Sequence, residues 1–88
     1  MAATWYLYMI ECIDGSLYTG IAVDVERRYA LHAAGKGARY TRSHPPRRLA
    51  AIIEYAGRSE ASKAEHQVKK LTVAGKRELC RRHPPVPS

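Results

Sequence analysis

Tyr6-Leu7-Tyr8-Met9-Ile10-Glu11-Cys12-Ile13-Asp14-Gly15-Ser16-Leu17-Tyr18-Thr19-Gly20 is the stretch whose reading decides the fold. It opens on one tyrosine-bearing triplet, Tyr6-Leu7-Tyr8, and closes on a second, Tyr18-Thr19-Gly20. Residues 5–12 (WYLYMIEC) are aromatic and large apolar, the composition of a strand. Asp14-Gly15 is a turn signal, and residues 16–22 read as the returning strand of a hairpin. Register is what matters in that hairpin, because a slip of one residue moves every side chain to the other face. A two-residue loop sends Tyr8 and Tyr18 to opposite faces, whereas a three- or five-residue loop puts both on one face.

Downstream, Arg28 follows Tyr18 by ten residues. Asp24 is a good N-cap and Glu26 suits the positive end of a helix dipole, so a helix is expected to run to about Ala34 and to end at Gly35. Its apolar stripe holds Val25, Tyr29 and either Leu31 or Ala33. Arg28 and His32, at i and i+4, share a face on or beside that stripe. Residues 35–48 (GKGARYTRSHPPRR) read as a flexible loop carrying most of the concentrated positive charge. A third strand is expected over residues 49–55. A second helix capped by Ser59 runs to about Leu71, burying Ala61, Ala64, Val68 and Leu71, and a short third helix covers residues 76–82. The expected order is β-β-α-β-α-α, an α+β domain over residues 1–82, with a proline-bearing tail at 83–88 read as disordered.

Bulk properties narrow the classes of function. Eighty-eight residues build one small core. A net charge of +7 and a pI near 9.8 favour a polyanionic partner, phosphate backbones first and anionic membranes second. Cys12 and Cys80 fit no metal-ligand or redox spacing and suggest a reducing compartment. No apolar run approaches a membrane span and the amino terminus lacks signal-peptide features, so a cytoplasmic location with no membrane association is expected.

Several side chains carry a chemical reading beside a plain one. Glu65 lies between Ala61 and Val68, next to the buried stripe, where a carboxylate is costly unless something positive satisfies it. A divalent cation does so; magnesium takes only one or two carboxylates and completes its shell with water and phosphate oxygens. Equally, Ser62-Lys63-Ala64-Glu65 fits a capping box, which makes Glu65 a helix-start residue. Arg28 suits two-pronged recognition of a phosphate, or is a solvated helix charge. His32 can hold a proton near neutral pH, or is a satisfied histidine. Tyr8 and Tyr18 are poor bases alone, their phenols titrating near 10, and the plain reading packs them in the core. Lys36, Arg39, Arg42, Arg47 and Arg48 with Tyr40 form a phosphate-contacting segment with one stacking ring, or a solvated charge run.

Taken together, the two triplets, Arg28, His32 and Glu65 resemble the GIY-YIG nuclease superfamily. The pieces YLYMIECIDGSLYTG, DVERRYALH, GKGARYTR and AEHQVKKL look closest to its small stand-alone bacterial members of the YhbQ-like kind. The resemblance implies a GIY-YIG fold, a three-stranded antiparallel sheet flanked by three helices, with one divalent-metal site. It implies that Glu65 holds Mg2+ (or Mn2+) and Tyr8 helps deprotonate the attacking water. Tyr18 and His32 orient or share that proton, and Arg28 stabilises charge on the scissile phosphate. The departures are Tyr6-Leu7 for the opening of the first triplet, Thr19 for isoleucine, and Ile21 where some relatives carry lysine. Lys76-Arg77-Glu78 stands where many relatives have asparagine.

The expectation is therefore a metal-dependent nuclease cutting nucleic-acid phosphodiesters, DNA ahead of RNA, with DNA repair or recombination as the family-level setting. The rival is a non-catalytic or partner-dependent nucleic-acid-binding adaptor of the same fold, with a protein partner supplying targeting. A third reading is a small basic protein of the translation machinery without an active site.

Overall fold

The computed structural model describes residues 3–85. Strand β1 (Trp5–Cys12) is central in a three-stranded antiparallel sheet of order β2-β1-β3, flanked by β2 (Leu17–Ala22) and β3 (Pro46–Tyr55). Glu11 pairs with Leu17, so residues 12–16 close the hairpin, with Gly15 at φ +86°. That loop is odd in length. Tyr8 therefore lies opposite Gly20 and Ile10 opposite Tyr18, and both tyrosines share one face.

Alternation along β1 divides the core in two. Tyr8, Ile10 and Cys12 pack with Ala22 and with Val25 of α1 (Val25–Ala33). Leu7 and Met9 face the other way, against Ala51, Val68 of α3 (Arg58–Lys69), and Leu79 and Cys80 of α4 (Val73–Arg82). Leu7, Met9 and Ile10 are wholly buried, each contributing about 1.5–3 kcal/mol by removal from water. Asp24 caps α1, its carboxylate accepting from Arg27 N at 3.0 Å.

Several boundaries differ from expectation for identifiable reasons. Among the described residues there are four helices, in the order β-β-α-α-β-α-α, not three. The extra one, α2 (Arg39–Ser43), sits inside the expected loop, where its polar sequence gives no apolar period to detect. β3 starts at Pro46, before Leu49, because proline is tolerated at the first residue of an outer strand. α3 starts at Arg58 behind extended Gly57, with no side-chain cap, so Ser59 is not its N-cap. It ends at Lys69, leaving Leu71 exposed. α4 starts at Val73, capped by Thr72, whose hydroxyl accepts from Gly75 N at 3.1 Å. On α1 neither Leu31 nor Ala33 is buried; the buried positions are Val25 and His32.

The carbonyl of His83 accepts from Ile52 N at 3.2 Å. Residues 86–88 of the expected disordered tail lie outside the described residues. Among the described residues, no helix is long and apolar enough to cross a membrane.

Candidate active site

On the Tyr8 face a chain of hydrogen bonds runs through the core. The Tyr8 hydroxyl lies 2.9 Å from His32 Nε2, and His32 Nδ1 lies 2.7 Å from Thr41 Oγ1. The Thr41 hydroxyl also lies 3.0 Å from the carbonyl of Ala38, to which it donates. Exposure is 1% for Tyr8, 2% for His32 and 1% for Thr41, so water does not compete for these bonds. Burial, followed by the Arg28 charge, lowers the His32 pKa from its ordinary value and favours neutral imidazole. Burial also pushes the Tyr8 phenol well above its ordinary pKa. Tyr18 beside it and the Glu65 charge act in the same direction, and Arg28 against them.

Two glycines make room for these rings. Gly20 faces Tyr8 across the ladder, and a Cβ there would lie 2.5 Å from the Tyr8 hydroxyl oxygen. A Cβ at Gly37 would collide with Nδ1 of His32. The Gly20 of the second triplet and the Gly37 of GKGARYTR thus serve the site by their lack of a side chain.

Tyr18 is half-buried, with ring centroids 6.3 Å from Tyr8 and 5.0 Å from His32. Tyr40 stacks on Tyr18 at 5.9 Å, and His44 stacks on Tyr40 at 4.2 Å. His44 Nδ1 is 2.7 Å from the Asp14 carboxylate. Hydrogen bonds from Ser16, then the contact with His44, hold the Asp14 carboxyl well below the usual range. The hairpin loop is in this way tied to the segment after α2. Sequence reasoning missed Thr41, His44 and Asp14. Thr41 sits within GKGARYTR, but its contact with His32 depends on a helix the sequence does not announce.

Arg28 is exposed on α1 and influences both Tyr8 and His32 electrostatically. Glu65 lies mid-helix in α3, so the capping box does not form. Its side chain is 23% exposed, and Lys69 Nζ lies 3.4 Å away, one turn along. Lys36, Arg39, Arg42 and Arg47 are exposed and make no ion pair among the described residues. Arg48 is separated from them. It donates to Glu11 at 2.7 Å, and Arg77 reaches the same carboxylate at 3.3 Å and the carbonyl of Gly15 at 2.7 Å. By strand alternation Glu11 belongs to the Leu7 and Met9 face, away from Tyr8. Arg77 is therefore a tie between α4 and the hairpin.

Among the described residues no group of three or more His, Cys, Asp or Glu side chains is placed to hold a metal. Glu65 offers a single half-buried carboxylate. That donor fits magnesium or manganese bound mostly through water and phosphate oxygens, and does not fit a closed zinc site.

Comparison with known proteins agrees with this geometry. The GIY-YIG catalytic domain matches residues 4–78. A UPF0213 protein of Cupriavidus pinatubonensis is 51% identical over 76 residues, covering 86% of this chain and 84% of its own. One from Cupriavidus necator is 48% identical over 82 residues, covering 93% and 89%. The solution NMR structure of a UPF0213 protein from Bacillus halodurans superposes with a TM-score of 0.58 at 43% identity, covering 93% of this chain and 88% of that one. An E. faecalis protein solved by NMR gives a TM-score of 0.62 at 37% identity, covering 90% and 84%. With Tyr8 and Tyr18 on one sheet face and the family's domain matched from residue 4 to residue 78, the chain belongs to the GIY-YIG nuclease superfamily, among the UPF0213 proteins.

Proposed function

We propose that this chain hydrolyses nucleic-acid phosphodiester bonds with a divalent cation held at Glu65. The observation that carries the reading is the buried hydrogen-bond chain from Tyr8 to His32, flanked by Arg28 and Glu65. Burying three polar side chains in so small a core is costly unless all are satisfied, and here they are satisfied in a line that can pass a proton. A bound magnesium or manganese ion supplies Lewis-acid polarisation of a phosphate oxygen.

The side chains divide the remaining work. Tyr8 does not need to become a phenolate, which its raised pKa opposes. As its own proton moves to His32 Nε2, its oxygen takes one from the attacking water side, and the phenol stays neutral throughout. Tyr18 is more exposed than Tyr8, so it is the tyrosine presented to the incoming phosphate, with Tyr8 as the link to His32. Arg28 faces solvent and suits bidentate contact with the scissile phosphate as charge builds there. Lys36, Arg39, Arg42 and Arg47 track the flanking phosphates. Arg48 contributes to the fold through Glu11. DNA is placed ahead of RNA, and repair or recombination is the pathway class the family suggests. The free thiols of Cys12 and Cys80 accord with a cytoplasmic setting.

The test is cleavage of labelled single-stranded, duplex and branched DNA, and of RNA, with magnesium or manganese, comparing wild type with Glu65→Gln. Cleavage that the folded, nucleic-acid-binding variant loses supports the proposal. Binding without cleavage on every substrate would instead make the chain a nucleic-acid-binding module.

A further inference from the structure

We infer that Thr41 is a positioning residue: its hydroxyl fixes His32 in the Nδ1–H form, so that Nε2 is the bare acceptor facing Tyr8. The inference rests on the nuclease reading for its consequence, and on hydrogen-bond accounting for its substance. A threonine hydroxyl has one hydrogen to donate. The carbonyl of Ala38, 3.0 Å away, has no proton to offer, so the Thr41 hydroxyl donates to it. Towards His32 Nδ1, at 2.7 Å, the same oxygen accepts, and Nδ1 must therefore carry a hydrogen. A neutral imidazole with Nδ1 protonated leaves Nε2 bare, and Tyr8 donates to it across 2.9 Å.

The polarity of the whole chain follows from that one carbonyl. Protons point from Tyr8 to His32, from His32 to Thr41, and from Thr41 to Ala38. The reverse polarity would put a hydrogen on Nε2, make the Tyr8 oxygen an acceptor, and leave His32 unable to receive the Tyr8 proton. It would also strip the Ala38 carbonyl of the threonine, leaving it the amide of Arg42 at 3.2 Å.

Local structure is arranged around this contact. Ala38 is the N-cap of α2, and the helix carries Thr41 back over that cap residue's carbonyl. Gly37, next to it, lets the backbone pass against the imidazole where a Cβ would collide with Nδ1. The GKGARYTR segment thus does two different jobs. Its arginines and lysine face solvent, while Gly37 and Thr41 face His32.

The experiment uses full-length protein labelled with 15N at histidine, with the His32 signals assigned by His32→Gln. Wild type is expected to show His32 protonated at Nδ1 and bare at Nε2. Thr41→Val, which keeps the shape and removes the hydroxyl, should shift His32 towards the Nε2–H form. In cleavage assays it should lower kcat roughly 10- to 100-fold with little change in KM, the scale seen when the partner that orients an imidazole is lost. Thr41→Ser should restore both the tautomer and the rate. An Nε2–H form in wild type, or an unchanged tautomer in folded Thr41→Val, overturns the inference whatever the rates. Should the valine variant not fold, the wild-type tautomer decides alone. If wild type cleaves nothing, the nuclease reading falls, while the tautomer measurement still decides the role of Thr41.

Discussion

Strand β1 feeds two polar clusters on opposite faces of one sheet, and they are built on opposite principles. Tyr8 enters a cluster of uncharged partners, His32 and Thr41, each about 1–2% exposed. Glu11, three residues on, enters a cluster of charges at the surface, shared between Arg48 and Arg77. The ionic cluster is self-sufficient: hydrogen bonds from Arg48, then Arg77, hold the Glu11 carboxyl below its ordinary range. On the Tyr8 face the polar groups inside are paired, while Arg28 makes no ion pair among the described residues. Clustered arginines alone therefore do not distinguish the two faces. In the proposed function the working face is the one with a buried neutral hydrogen-bond chain and an unpaired charge beside it.

The comparison breaks most sharply at Arg28. Arg28→Ala should reduce kcat roughly 100- to 1,000-fold in single-turnover cleavage, the usual cost of removing one transition-state donor. Arg48→Ala should leave kcat near wild type. Equal losses in the two variants would erase the distinction between the faces.

Gly37→Ala comes next. The added methyl must displace His32, which is held at both ring nitrogens, so a loss of about 1–3 kcal/mol in urea-unfolding stability is expected. Wild-type stability in that variant would mean the imidazole is not held where described.

Thr19 sharpens the comparison from the other side. It is the middle residue of the second triplet, turned away from Tyr8, and its Oγ1 is buried without a hydrogen-bond partner among the described residues. Thr19→Val should therefore raise stability by about 1 kcal/mol in the same unfolding assay while cleavage is unchanged.

The smallest effect concerns acid. A carboxyl whose folded pKa is depressed contributes stability that is complete above its ordinary pKa and lost as pH falls through the depressed value. Between about pH 5 and pH 2 the melting temperature should fall less steeply in Glu11→Gln than in wild type. Parallel slopes would mean that the Arg48–Glu11–Arg77 cluster adds nothing to folding.

Much of this was legible in the sequence, in the places where local chemistry decides the outcome. Strand 5–12 and the Asp24 cap follow from apolar pattern and capping chemistry. The shared face of Tyr8 and Tyr18 turns instead on a loop length that the sequence leaves open and that the fold sets at residues 12–16. Helix α2 was not legible, because Arg39-Tyr40-Thr41-Arg42-Ser43 has no apolar stripe and is positioned by its contacts with α1 and His32. Missing α2 meant missing Thr41. Arg47 and Arg48 looked equivalent as neighbours in a basic run, yet Arg48 is taken up by Glu11 while Arg47, at a register shift in the ladder, makes no ion pair among the described residues. The pairing of His44 with Asp14 spans thirty residues and has no local signal.

The most direct test sets the two faces against each other in one assay. Single-turnover cleavage and equilibrium binding are measured side by side for wild type, Glu65→Gln and Arg48→Ala, with magnesium present. The account predicts that Glu65→Gln binds like wild type and does not cleave, while Arg48→Ala cleaves at close to the wild-type rate. Undiminished cleavage by folded Glu65→Gln would contradict it.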